Sequence, residues 1–193
     1  IDGRYSNLTD ELRPIFSEFG LMKYRVLVEL EWFIHLSEQR SIPHLPKISI
    51  NQKRKLYSIF HNFSIREAKK IKKYESKTNH DVKAVEYFLK EQISSFSRLT
   101  KYQEFIHFGC TSEDINNLAY GLMINEASQK IILKALNKLL QKLRIKSHQY
   151  ASISMLSRTH GQSATPTTLG KELANFLVRA ENIKKVISET LIK

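Results

Sequence analysis

A single cysteine, Cys110, stands in the 193 residues, with only six glycines and four prolines. One thiol cannot make an internal disulfide framework, so a reducing compartment is expected, and a metal site built on cysteines is excluded. The histidines show neither HExxH spacing nor a paired His/Cys cluster, and no metal is expected. No glycine-rich phosphate loop occurs, which argues against kinases and dinucleotide enzymes, and no GxSxG elbow supports a serine hydrolase. With so few glycines and prolines there is little material for the turns of an all-β fold. Neither an apolar signal core nor a run of membrane-spanning length is present, so a cytoplasmic protein without a membrane partner is expected.

Acidic residues are also scarce, leaving a formal charge of +12. The densest basic run goes from Arg66 through Lys69, Lys70, Lys72 and Lys73 to Lys77. No aromatic platform or nucleic-acid motif accompanies it, so it is read as a solvated helix face and no nucleic-acid partner is expected.

What the chain does contain is helix after helix. Apolar positions recur at helical spacing up to Gly20, over Leu21 to about Gln39 and over residues 51 to 63. Ser64-Ile65-Arg66-Glu67 fits a capping box that opens a charged helix to about Lys77. Asp81 is placed as the N-cap of the next helix, whose stripe includes Val82, Val85, Phe88, Leu89 and Ile93. A short helix is expected from Lys101 to Phe108, ending at Gly109.

From Ile115 to about Tyr150 there is no proline and one glycine, which predicts a rod of roughly 54 Å. A helix of that length needs a bundle or an oligomer to cover it. Thr165-Pro166 then supplies an N-cap and a first-turn proline for a last helix, expected to include Leu191 and to run to Lys193. The fold class is all-α: a small helical N-terminal domain, residues 1–109, followed by the first long helices of a central helical bundle, residues 110–193.

The polar breaks between these helices carry the candidate chemistry. His80 stands beside an expected helix start, His107 just before Thr111-Ser112 at another, and His160 in the break Ser157-Arg158-Thr159-His160-Gly161-Gln162-Ser163-Ala164-Thr165-Pro166. Helix N-termini favour anionic ligands, and histidine suits acid–base work near neutrality. Residue types alone leave open a generic helical protein with caps at these points.

Four blocks, taken in order, resemble the adenylosuccinate lyases of the fumarase/aspartase superfamily. They are Asp2-Gly3-Arg4-Tyr5, the stretch from Lys77 to Glu86 centred on Asn79-His80-Asp81, the stretch from Glu104 to Asp114, and Ser157-Arg158-Thr159-His160-Gly161-Gln162. The resemblance spans the whole chain and implies elimination of fumarate from adenylosuccinate and from the succinylated aminoimidazole carboxamide nucleotide of purine synthesis, with no cofactor.

By that resemblance His160 is the general acid toward the leaving nitrogen. Arg4 and Tyr5 hold the nucleotide, Asn79, His80 and Asp81 form a substrate-binding block, and His107 lies near the phosphate. Thr111 and Ser112 bind a succinyl carboxylate, and Gln162 orients the substrate. Ser163 departs from the proline common in the family. The family's base is a serine on a mobile Ser-Met-Pro-Lys-Asn loop, which this sequence lacks. The chain is therefore expected to be about the first two-fifths of such an enzyme, inactive alone, and the complete protein a homotetramer whose sites draw on three subunits. Alternatives are another lyase of the superfamily acting on a different succinyl adduct, or a non-catalytic basic helical binding module.

Overall fold

The computed structural model describes residues 3–190; Asp2 of the first block and Leu191 of the last stripe lie outside the described residues. The chain divides between Ile124 and Asn125 into two compact units.

The first unit is built around one buried helix. Two short 3-10 turns, Ser6–Leu8 and Asp10–Leu12, lead into α1 (Arg13–Phe16) and then α2 (Glu18–Leu36). The break falls at Ser17, not at Gly20, because the Ser17 hydroxyl caps α2 by accepting the Gly20 N–H. Gly20 lies inside the first turn of α2, where a side chain is impossible: a Cβ there would come within 2.1 Å of the Ile15 carbonyl oxygen.

Around α2 are arranged α3 (Ile50–His61), α4 (Ile65–Thr78) and α5 (Asp81–Ser94), followed by a 3-10 segment, Thr100–Phe105, where a short α-helix was expected. The Ser64/Glu67 capping box is present, and Ser49/Gln52 forms a second one at the start of α3. The core gathers Val26, Leu30 and Phe33 of α2 with Leu56, Ile71, Val85, Phe88, Leu89 and Ile93. Burying two aromatic rings as completely as Phe33 and Phe88 makes truncation of either to alanine cost about 3–5 kcal/mol. The lysine-rich face of α4 is solvated as expected; Lys72, for example, pairs with Glu18 and Glu75.

The stretch expected to form one long helix is helical from Ser112 to Gln149 but not uniform. It comprises α6 (Ser112–Ala127), one π turn (Ser128–Ile132) and α7 (Leu133–Gln149). A π turn inserts one residue into the i→i−4 ladder, so the faces before and after it fall out of step with a single 3.6-residue stripe.

The second unit pairs α7 with α8 (Leu169–Glu189). They run antiparallel: Gly170 at the start of α8 donates its N–H to Tyr150 O at the end of α7, and Arg144 pairs with Glu181 further along. Gly170 is forced by this approach, since a Cβ would come within 2.3 Å of the Ser147 carbonyl oxygen.

Between α7 and α8 the expected irregular break is instead a β-hairpin, β1 (Ser154–Thr159) and β2 (Gln162–Thr168). Thr165-Pro166 consequently belongs to β2 and does not open α8; Thr168 is the N-cap and accepts the Lys171 N–H. Proline is tolerated in a two-stranded sheet because each strand has a free edge. The chain is thus predominantly α, with this one two-stranded sheet among the described residues.

Candidate functional site

Half of the candidate residues lie where two of the first unit's helices begin, Asn79, His80 and Asp81 at α5 and Thr111 and Ser112 at α6. Asn79 ends α4 in the left-handed conformation, φ 51°, which asparagine tolerates better than most side chains. The chain then extends at His80 and turns into α5. The N-cap is His80, not Asp81: its Nδ1 accepts the Lys83 N–H at 3.1 Å. An accepting Nδ1 places the proton of the neutral ring on Nε2, and Nε2 lies 3.5 Å from the Ser112 hydroxyl.

Asp81 is the first helical residue, and its carboxylate is spoken for on both sides. Oδ1 accepts the Val82 N–H at 2.8 Å, and Oδ2 accepts from Arg25 Nη2 at 2.6 Å. Partial burial works to raise its carboxyl, but the Val82 N–H and the Arg25 guanidinium outweigh it and hold Asp81 below the usual range. Lys72, Glu75, Ser76, Asn79, His80 and Asp81 line a cleft of about 590 Å³.

Behind this front row is a buried polar cluster that the sequence reading missed. Arg25 of α2 is 6% exposed and also donates through Nε to Asn116 Oδ1 of α6 at 2.8 Å. Asn116 in turn donates to Glu113 at 2.9 Å. Arg25 thereby ties the start of α5 to the first turn of α6, which carries Ser112. The Thr111 N–H is held by the Asp114 carboxylate at 2.8 Å.

One turn further along α2, Glu29 is fully buried and accepts from His107 Nδ1 at 2.6 Å. Its other oxygen has no partner among the described residues. The Glu29 carboxylate raises the His107 imidazole against the opposing effect of burial. His107 itself is left-handed, φ 60°. Burial, with Glu29 and Asp114, pushes the Cys110 thiol up to about 11, so it is protonated and unreactive near neutrality. A charged pair at i, i+4 inside a helix otherwise apolar over most of its circumference was the signal available for Arg25 and Glu29.

His160 and Gln162 are on the hairpin of the second unit. Thr159 pairs with Gln162, leaving His160-Gly161 as a two-residue turn with φ of 50° and 76°. Positive φ at both central residues is the type I′ geometry that suits the twist of a hairpin, and glycine supplies it without strain. The His160 side chain is exposed, with Nδ1 2.7 Å from Thr159 Oγ1. A bulge sets Ser157 against Ala164 and Thr165, and Ser157 Oγ donates to the Thr165 carbonyl.

Arg4 and Tyr5 are exposed in the N-terminal lead, the guanidinium 5.6 Å from the Tyr5 ring centroid. The first unit therefore brings together Asn79, His80, Asp81 and Ser112, with Thr111 adjacent and His107 held by the same helix that anchors Asp81. Among the described residues no group of three or more His, Cys, Asp or Glu side chains could hold a metal ion. No helix among them is long and apolar enough to cross a membrane.

The chain matches the Lyase family model over residues 3–192. It is 47% identical over 192 residues to adenylosuccinate lyase of Legionella pneumophila and 45% identical over 192 to that of Escherichia coli. Each alignment covers 100% of this chain and 42% of the relative, so the chain spans about two-fifths of the length of these proteins. Among solved structures, fumarate lyase of a Mesorhizobium species superposes with a TM-score of 0.72 at 18% identity, covering 93% of this chain and 39% of that one. The β-carboxy-cis,cis-muconate cycloisomerase of Acinetobacter calcoaceticus does so with a TM-score of 0.73 at 19% identity, covering 96% and 42%. At such identities these two speak for the fold alone.

Proposed function

Because the chain belongs to the lyase family whose model spans it, we propose that it carries the acid-bearing and substrate-binding part of an adenylosuccinate lyase. The observation that supports this reading most directly is 45–47% identity to adenylosuccinate lyases along the whole of this chain. In the reaction, a base removes a proton from the succinyl carbon next to a carboxylate. The resulting electron pair becomes the double bond of fumarate as the C–N bond breaks. His160 gives its proton to the departing nitrogen, leaving AMP or the aminoimidazole carboxamide nucleotide. The type I′ turn favours this role because it lifts an imidazole to the tip of a hairpin, clear of the strands, where a substrate can reach it.

The remaining candidates divide by chemistry. Asn79, His80 and Asp81 form a substrate-binding block, in which the Asp81 carboxylate acts through its grip on Arg25 and the Val82 N–H; Thr111 and Ser112 bind a succinyl carboxylate, His107, Arg4 and Tyr5 the phosphorylated nucleotide, and Gln162 orients it. The exposed Leu139 and Ile145 of α7 and Phe176, Ile183 and Val186 of α8 supply apolar surface for a homotetramer of cytoplasmic enzyme. Large apolar side chains left exposed on both helices are what an association surface would cover. The test is to offer the full-length protein adenylosuccinate and several other succinyl adducts and to measure fumarate. Release from adenylosuccinate is expected. Release from a different adduct, with none from adenylosuccinate, would overturn the reading in favour of another lyase of the superfamily.

A further inference from the structure

Resting on the reading that His107 meets the phosphorylated end of the substrate, we propose that Glu29 is a positioning residue. It holds the His107 imidazole through Nδ1 so that Nε2 is presented to an anionic group as a donor. Three observations carry this. Glu29 is fully buried on α2, yet a carboxylate is costly to bury unless it is paired. Its one side-chain partner among the described residues is His107 Nδ1 at 2.6 Å, a charge-assisted contact across 78 residues of sequence. Its second oxygen has no partner among the described residues, which leaves the imidazole as the group that holds this carboxylate.

His107 sits at the end of a constrained segment. Its backbone is left-handed, and the next residue, Phe108, offers its carbonyl to Trp32 Nε1 of α2 at 2.8 Å. The ring therefore reaches inward to α2 with one nitrogen, and Nε2 is the nitrogen left for a ligand; the side chain is 19% exposed. The charged groups acting on the ring are Glu29 from α2 and Glu86 and Lys83 from α5. The two carboxylates favour its protonated form and Lys83 opposes it. A protonated imidazole donates from both nitrogens, one to the buried carboxylate and one outward to phosphate. The sequence motif places a histidine here; the Glu29 carboxylate of α2, more than seventy residues earlier, favours its charged form.

The experiment uses the full-length enzyme with adenylosuccinate, measuring kcat and KM from pH 6 to 9 for wild type, Glu29→Gln and His107→Gln, with the His107 ring titrated by NMR. When only the protonated ring binds, KM climbs about tenfold per pH unit above its titration midpoint. In E29Q that climb and the NMR midpoint both move to lower pH, while kcat at saturation stays within about twofold. His107→Gln raises KM at all pH values and removes the climb. A residue that merely fills space would lower Tm and leave the onset of the climb in place, and that result overturns the proposal. Should E29Q fail to fold, Glu29→Asp, which keeps the charge on a shorter arm, must move the midpoint and the onset the same way by a smaller amount. If His107→Gln leaves KM unchanged, the reading of His107 as a substrate contact has failed. If it raises KM while E29Q behaves as wild type, only the role of Glu29 has failed.

Discussion

The two units place histidines by opposite means. In the first, His80 and His107 take their positions from tertiary structure: a cap onto α5, a buried carboxylate on α2, and the Arg25 bridge between the starts of α5 and α6. In the second, His160 is placed by its own backbone, in a two-residue turn between strands that pair with each other. A side chain held by buried charge cannot be altered without cost to folding. One at an exposed turn packs against no core, so its alteration registers chiefly in chemistry.

The largest effect that would sharpen this contrast is on the exposed side. In the full-length enzyme, His160→Ala lowers kcat for fumarate release by roughly 10²- to 10⁴-fold, the span for loss of a general acid, with an unchanged Tm. Near-normal turnover would remove the hairpin from the chemistry altogether. Next comes Arg25→Ala, which strips Asp81 and Asn116 of a shared partner. Leaving the largely buried Asn116 unsatisfied costs about 2–3 kcal/mol, read as a lower urea midpoint at constant m. Because Arg25 also anchors the start of α5, KM rises as well. An Arg25→Ala protein as stable as wild type would mean that the first unit's site is held by something other than this bridge.

The same contrast explains what could be read without coordinates. The helices were legible because their apolar stripes and caps are local, and Ser64-Ile65-Arg66-Glu67 is the plainest case. The candidate residues were legible as motif members, and the structure draws Asn79, His80, Asp81 and Ser112 together. Arg25 and Glu29 were marked only by their i, i+4 spacing in an apolar helix; their partners, 56, 78 and 91 residues away, are encoded by no local pattern. The hairpin was missed for a different reason. Its strands are rich in serine and threonine and bury little, so the alternation expected of a half-buried strand is absent, and Thr165-Pro166 imitates a helix start. The pair His160-Gly161 was the available sign, since a residue followed by glycine between extended segments is a type I′ signal.

A smaller effect follows from the titration of His107 and Asp81. His107 is raised in the folded state, so the stability it contributes is complete below the ordinary imidazole value of about 6.5 and is lost as pH rises through its higher folded value. Asp81 is depressed, so its contribution is present above the ordinary carboxylate range and is lost as pH falls through its lower folded value. Urea midpoints measured across pH should therefore fall at both ends. Glu29→Gln removes the alkaline limb, and Asp81→Asn removes its share of the acid limb, a modest one because Asp81 is about half exposed and screened by solvent. An alkaline limb that survives Glu29→Gln would assign it to some other group.

The smallest effect belongs to the turn itself, and it is graded by side chain. Gly161 has φ 76°, where an alanine meets the left-handed penalty of about 1–2 kcal/mol and an asparagine much less of it. A Cβ at Gly161 meets no atom within 4 Å, so space is not at issue and the whole cost is backbone conformation. The turn opens in proportion to that cost, and each opening takes His160 off the tip of the hairpin. Gly161→Asn is accordingly expected to keep most of the activity, Gly161→Ala to lose up to about tenfold in kcat, and Gly161→Val to lose more, because its β-branched side chain tolerates positive φ least. Tm should hardly move across the series, since the strands on either side are exposed. Equal kcat for Asn, Ala and Val would show that the imidazole is placed by contacts beyond its own turn, and the contrast between the two units would then collapse.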